Sequence, residues 1–261
     1  MNSVDEMHAP VELADIAADL LPRLRTRAPR VHCITNSVAQ QFTANVLLAA
    51  GAVPSMTISP EEIASFVAGA DVLLVNLGTF DAERRKAIEA AIGAAKAGRK
   101  PWVLDPVFVE RAPPRAQFAR DMLTRGPAIV RLNAAEFGAL SHGDPTGDAP
   151  ARFAKAHATV VAVTGGVDRI TDGARHAVIA NGDPLMGLVT AMGCAGSALI
   201  AAALAVEADP FIAASAALTA FGVAGEVAAL NVDGPGSFAS GIIDALYGLD
   251  RATLRQRARV S

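Results

Sequence analysis

Apolar and polar positions along this chain alternate between two rhythms. From Leu13 to Leu21 apolar residues recur every third or fourth position, the spacing of an amphipathic helix; Arg30 to Asn36 (RVHCITN) is a short β-branched run that ends in polar residues. Ala39 to Ala50 returns to helical spacing and stops at Gly51, a residue suited to the left-handed turn that closes a helix. Ala52 to Ser59 predicts a second strand, after which Ser59 as cap and Pro60 at the first helical position predict a helix start. Asp71 to Thr79 (DVLLVNLGT) is apolar almost throughout, the pattern of a strand covered on both faces. A long helix over Asp81 to Gly98, capped by Asp81, leads to strands at Pro101 to Val107, Ala128 to Leu132 and Thr159 to Thr164. Short helices at Ala134 to Leu140 and Pro150 to Ala156 lie between the later strands. Arg169 to Gly182 reads as a hairpin about Asp172 and Gly173. Helices over 194–207, 210–230 and 237–248 close the pattern, with Ser237 as cap of the last, and the basic stretch ATLRQRARVS is expected to fray in solvent.

Regular alternation of strand and helix implies one α/β domain over residues 1–261, a mainly parallel sheet with helices on both faces. A chain of 261 residues, 52% apolar and 19% charged, has the material for a large core. One stretch complicates this: Pro184 to Val206 carries no charge over a length able to span a bilayer. Gly187, Gly193 and Gly196 interrupt it and the adjoining helix contains Glu226, so it is expected to be a buried strand, turn and helix, with no membrane contact.

Charge and cysteine content narrow the function classes. The net charge is −3 and no Lys/Arg cluster is dense enough for nucleic acid. Cys33 and Cys194 are far apart, which argues against a disulfide framework or a zinc site and for a reducing compartment. The start of the sequence, MNSVDEMHAPVELAD, lacks the basic and apolar regions of an export signal, so a cytoplasmic location is expected.

Candidate chemistry lies where the strands end. Parallel sheets bind ligands outside their carboxyl edge, and five predicted strands end there in polar residues or glycine: Thr35 and Asn36; Asn76, Gly78 and Thr79; Asp105; Arg131 and Asn133; Thr164 with Gly165 and Gly166. The turn TAMGC before the helix at 194 is a further candidate. Unpaired amides and the positive end of the dipole at a helix start accept phosphate oxygens, though the turn matches neither GxxxxGK[ST] nor GxGxxG.

The segments VHCITN (31–36), NLGT (76–79), LDPV (104–107), NAAE (133–136), AVTG (162–165), VTAMGC (189–194) and GPGSF (234–238) stand in the order and at roughly the separations found in hydroxyethylthiazole kinases. On them the chain, from about residue 12 to residue 248, resembles that family. The resemblance implies a ribokinase-like three-layer sandwich that phosphorylates 4-methyl-5-(2-hydroxyethyl)thiazole with ATP and Mg²⁺. It places Asn36, Val38, Met56, Gly78 and Ala191 in the thiazole pocket, Arg131 and Thr164 at the nucleotide phosphates, Asp105 and Glu136 at the metal, and Gly193 with the amides after it in the anion hole. It also implies a homotrimer with sites between neighbouring subunits. The family more often has glycine directly after the threonine of the TAMGC turn, where this chain has Ala191 and then Met192. If that position needs a positive φ, alanine there costs about 1 kcal/mol.

Cys194, at the position where related sugar kinases usually have Asp, is expected to orient the alcohol and act as a modest base, with its pKa lowered by the helix start. Cys33 and His32, inside a strand, are expected to be structural. Rival readings are a hydroxymethylpyrimidine or small-sugar kinase, a nucleotide-dependent dehydratase of damaged nicotinamide cofactors, and a thiazole-binding protein without turnover.

Overall fold

The computed structural model describes residues 10–261. The acidic start, read above as lacking an export signal, lies outside the described residues up to Ala9. Eight strands form one sheet: β1 (Arg30–Ile34), β2 (Val53–Ser55), β3 (Val72–Asn76), β4 (Trp102–Asp105), β5 (Ile129–Asn133), β6 (Val160–Thr164), β7 (Asp168–Thr171) and β8 (His176–Ile179). Their order is β2-β1-β3-β4-β5-β6-β7-β8; the pairings from β2 through β6 are parallel, and β7 runs antiparallel to both β6 and β8. The chain leaves β1 first to one side and then to the other, so the reversal point lies between β1 and β3, where such sheets open a crevice at their carboxyl edge.

Helices cover both faces. α1 (Pro10–Arg27), α2 (Gln40–Ala50), α8 (Met192–Leu204), α9 (Pro210–Ala229), α10 (Pro235–Gly248) and α11 (Arg251–Arg257) share one apolar core with the sheet; α3 (Ile63–Gly69), α4 (Ala82–Ala97), α5 (Pro113–Leu123), α6 (Ala134–Ser141) and α7 (Ala149–His157) share the other. The period-two geometry of the strands divides them: Val72 and Leu74 of β3 enter the first core, Leu73 and Val75 the second. This is the expected three-layer sandwich. Gly51 closes α2 at φ 96°, and the Asp81 carboxylate caps α4 by accepting from the Arg84 amide.

Several expectations are corrected. The segment at Pro184–Leu188 is a 3₁₀ turn rather than a strand, and α8 has only 13 residues, too few to cross a bilayer. α9 is long and apolar enough to do so, but it lies buried between α1, α8 and α10. α3 begins at Ile63 because the backbone from Ser59 to Glu62 makes a turn, with the Ser59 carbonyl accepting from the Glu62 and Ile63 amides. α10 begins at Pro235, which places Ser237 inside the first turn, its hydroxyl donating to the Gly234 carbonyl, rather than at the cap. α5 has no counterpart in the sequence reading. Its paired prolines occupy the first turn, where the missing amide has no partner to lose. The basic stretch does not fray: α11 packs on α1, and Val260 then bridges to Ile179 at the sheet edge.

Candidate active site

Asn76, the last residue of β3, joins the elements at the reversal point. Its Nδ2 donates to Asp105 Oδ2 at the end of β4 (2.7 Å), and its Oδ1 accepts from the Gly78 amide (3.0 Å) and from Asn36 Nδ2 beyond β1 (3.3 Å). Asn36 Nδ2 also lies 3.2 Å from Cys194 Sγ, so the network reaches the first turn of α8. The β3–β4 register sets Asn76 opposite Asp105. A β-carbon on Gly78 would fall 2.6 Å from Asn36 Cβ, so only glycine permits this approach. Asn36, Gly78, Asp105 and Cys194 are therefore brought together, and Asn76, singled out in the sequence only as a strand end, is the group that joins them. Ser197 went unrecognised. It sits one turn after Gly193 and donates to Asp105 Oδ2 (2.9 Å) and to the Gly193 carbonyl (3.2 Å). Its signal was the i+4 spacing from the glycine, which puts both on one helix face.

Asp105 is fully buried and its carboxyl is pushed up to about 6, by burial first and by the nearby Glu136 charge; Arg131, Ser197 and Asn76 act in the opposite direction. Its second oxygen, Oδ1, is buried without a hydrogen-bond donor. Glu136 completes a capping box at the start of α6: its Oε2 accepts from the Asn133 amide (2.8 Å) and its Oε1 from the Phe108 amide (2.9 Å). Among the described residues no three His, Cys, Asp or Glu side chains cluster as a self-sufficient metal site. The pair nevertheless fits a hydrated Mg²⁺, which takes one or two protein carboxylates and fills its sphere with water and phosphate. Asp105 Oδ1 has no other partner, and each engaged Glu136 oxygen retains a lone pair for a bridging water.

Beside these acids lies a cavity of about 620 Å³. Arg131, Thr164, Asp168, Asn181, Met192 and Gly193 are among the residues that line it. The guanidinium of Arg131 lies against Gly193, where an added β-carbon would fall 2.7 Å from Nη1. Its Nε is buried without an acceptor, and the residue lines the cavity. Asp168 holds the turn after β6 by accepting from the Gly165 amide (3.0 Å).

Ala191, directly before α8, has φ 72° and ψ 2°, the left-handed conformation anticipated as a possible strain. The following Met192 is buried at the cavity wall. One expectation fails here. The thiol of Cys194 is not lowered by the helix start but pushed up to about 11, by burial first and by the adjacent Asp105. Loss of hydration and a nearby carboxylate outweigh the dipole, so the group is a neutral thiol at neutral pH. The Cys33 thiol, buried in β1, is pushed up to about 12 and faces the core, as expected of a structural residue. His32 is also buried, with Nδ1 2.8 Å from Ser55 Oγ and Nε2 3.1 Å from the Thr57 carbonyl.

Two thiazole-pocket candidates stand apart from the polar network. Val38 is 74% exposed, and Met56, in the segment after β2, is half-buried against the core containing α2.

Comparison with known proteins bears on this arrangement. Residues 21–252 match the sequence model of the hydroxyethylthiazole kinase family. The chain is 45% identical to a probable hydroxyethylthiazole kinase of Agrobacterium fabrum, with 94% of each chain covered. It is 47% identical to the hydroxyethylthiazole kinase of Granulibacter bethesdensis, with 92% of each covered. The solved structure of a hydroxyethylthiazole kinase protein from Pyrococcus horikoshii superposes with a TM-score of 0.90 at 37% identity, covering 94% of this chain and 98% of that one. A ribokinase-like superfamily protein from Enterococcus faecalis, at 14% identity and a TM-score of 0.69, shares the fold. The chain belongs to the hydroxyethylthiazole kinase family.

Proposed function

We propose that this enzyme transfers the γ-phosphoryl group of ATP to the hydroxyl of 4-methyl-5-(2-hydroxyethyl)thiazole, giving a thiazole phosphate for thiamine synthesis or salvage. The observation that carries this reading is the network Asn36–Asn76–Asp105, with Cys194, set at the start of α8 beside the Arg131-lined cavity. ATP lies in that cavity, with Arg131 and Thr164 at its phosphates and the amides from Gly193 onward at the γ-phosphoryl. The alcohol lies over Asn36, Gly78 and Ala191, with Val38 and Met56 as apolar wall.

In the transfer the alcohol oxygen bonds to γ-phosphorus as the β–γ bridging bond breaks, and ADP leaves with that electron pair. The alcohol's proton passes to a phosphoryl oxygen or to solvent. A loose transition state asks mainly for position and charge neutralisation, so a neutral thiol at Cys194 suffices to orient the hydroxyl. Asn36, by donating to Cys194 and to Asn76, fixes where that thiol points. Arg131 stabilises the charge that spreads over the phosphoryl oxygens. Asp105 and Glu136 would hold Mg²⁺, which would supply neutralising positive charge to the transfer.

We propose further that the enzyme is a cytoplasmic homotrimer with sites between subunits. The exposure of Val38, two positions after the buried Asn36, supports a neighbouring chain completing the pocket. The test is a panel of thiazole alcohol, hydroxymethylpyrimidine, ribose and pyridoxal, each with ATP and with or without Mg²⁺. The thiazole alcohol should give the highest kcat/KM, and only with the cation. Preference for another acceptor, or binding of the thiazole without turnover, overturns the reading.

A further inference from the structure

The basic stretch at the end of the sequence has no part in the function described so far, and it ends against the nucleotide cavity. After α11 the segment Ala258–Ser261 runs along β8: Val178 and Ser261 exchange backbone hydrogen bonds (2.7 and 3.0 Å), and the Ala180 amide donates to the Arg259 carbonyl (2.9 Å). At the next residue the contacts become side-chain contacts. Asn181, buried and part of the cavity wall, uses its whole amide on this junction. Its Oδ1 accepts from the Arg259 amide (2.7 Å), and its Nδ2 donates to the Arg257 carbonyl (2.8 Å) and to Glu226 Oε1 (2.9 Å). Glu226, with only 11% of its side chain exposed on the apolar helix α9, also accepts from the Gly182 amide (3.0 Å) and from Arg259 Nη2 (2.6 Å). Arg259 Nη2 donates in addition to the Ala180 carbonyl (2.6 Å). Asn181 and Gly182 begin the Asn181–Gly187 wall of the cavity, and Gly222 of α9 lets that wall approach, since a β-carbon there would fall 2.8 Å from the Asn181 backbone.

We infer that Glu226 and Arg259 are positioning residues for nucleotide binding: together they latch the carboxyl-terminal segment onto Asn181 and Gly182 and so fix one wall of the ATP cavity. Neither residue lines the cavity itself. They act through residues that do. The placement of ATP in this cavity rests on the function proposed above. A loose wall must be ordered each time ATP binds, so weakening the latch raises the KM for ATP and leaves the alcohol site and the transfer step alone.

The test is steady-state kinetics of the full chain with Mg·ATP and the thiazole alcohol. Arg259→Ala should raise the KM for ATP about tenfold, the scale of ~1.4 kcal/mol, with kcat and the KM for the alcohol within about twofold. Arg259→Lys should recover part of the loss. Glu226→Gln keeps the side-chain shape and an acceptor for Asn181 while removing the charge that Arg259 binds; it should shift the same constant, and it stands in for Arg259→Ala should that variant not fold. Arg131→Ala, which alters the cavity directly, serves as the control. If it weakens ATP while both latch variants lower only Tm and leave the KM for ATP within about twofold, the latch is structural and the inference is wrong. If Arg131→Ala leaves the KM for ATP unchanged, the nucleotide placement fails and the inference falls with it.

Discussion

The left-handed alanine before α8 yields a prediction whose sign runs against ordinary expectation. Ala191 sits at φ 72°. Its β-carbon makes that conformation costly for an L-residue, by about 1 to 2 kcal/mol, whereas glycine adopts it freely. Replacing alanine with glycine also loosens the unfolded chain, which costs about 0.4 to 1 kcal/mol in the other direction. The difference favours Ala191→Gly by about 0.5 to 1 kcal/mol. For a chain of this size, at roughly 2 to 4 °C per kcal/mol, that is a rise in Tm of about 1 to 4 °C. Thermal unfolding followed by circular dichroism, on wild type and variant at equal concentration, measures it. Ala90→Gly, in the right-handed interior of α4, provides the opposite control and should lose about 2 to 4 °C. A fall in Tm for Ala191→Gly comparable to that of the control would refute the strain at this turn. The Ala195 amide donates to the Ala191 carbonyl (2.9 Å), a bond glycine keeps, so the KM for ATP should stay within about twofold.

Three further outcomes follow from the same geometry. At pH 7.5 Cys194 should react with iodoacetamide far more slowly than a free cysteine, because burial and Asp105 hold its thiol at about 11; labelling at the free-cysteine rate, read by mass spectrometry, would show a thiolate instead. The His32 imidazole is held below its usual 6.5, chiefly by burial, so the unfolded chain takes up a proton that the folded one resists. Stability therefore falls as pH drops below about 6.5, and the Tm of His32→Gln should fall less over that range than the wild type's; parallel curves would remove the linkage. Gly193→Ala should push Arg131 out of place and raise the KM for ATP roughly tenfold or more, while Arg131→Lys, with a narrower head group, should tolerate the added methyl better in the double variant.

Much of the fold was legible because its signals are local. The uninterrupted apolar run of β3 marked a strand covered on both faces, and Gly51 and Asp81 marked helix ends through requirements of their own backbone. The misreadings arose where one residue type serves two purposes. Ser59 and Ser237 had the chemistry of caps while the neighbouring backbone placed the helix starts elsewhere, and α5, opened by prolines 113 and 114, matched no predicted element. In the candidate site, strand ends pointed to Asn36, Gly78, Asp105, Arg131 and Thr164, since the carboxyl edge of a parallel sheet gathers them without further information. Val38 and Met56 came from resemblance alone, and within one chain they do not join the network.

By itself the sequence determined most of the succession of elements, though not α5 or α11, together with the two-sided burial of the sheet and the set of residues at its binding edge, because periodicity and capping act over a few neighbouring positions. Only the tertiary structure decided what those residues do to one another. The ionisation of Cys194 depends on its burial and on Asp105, 89 positions away in the chain; it was set by solvent exclusion and a neighbouring charge rather than by the helix start visible in the sequence. The same holds for the last residues, whose basic composition suggested a frayed end. Their fixed position comes from a glutamate on a distant helix and from an open sheet edge, partners that only folding brings within reach.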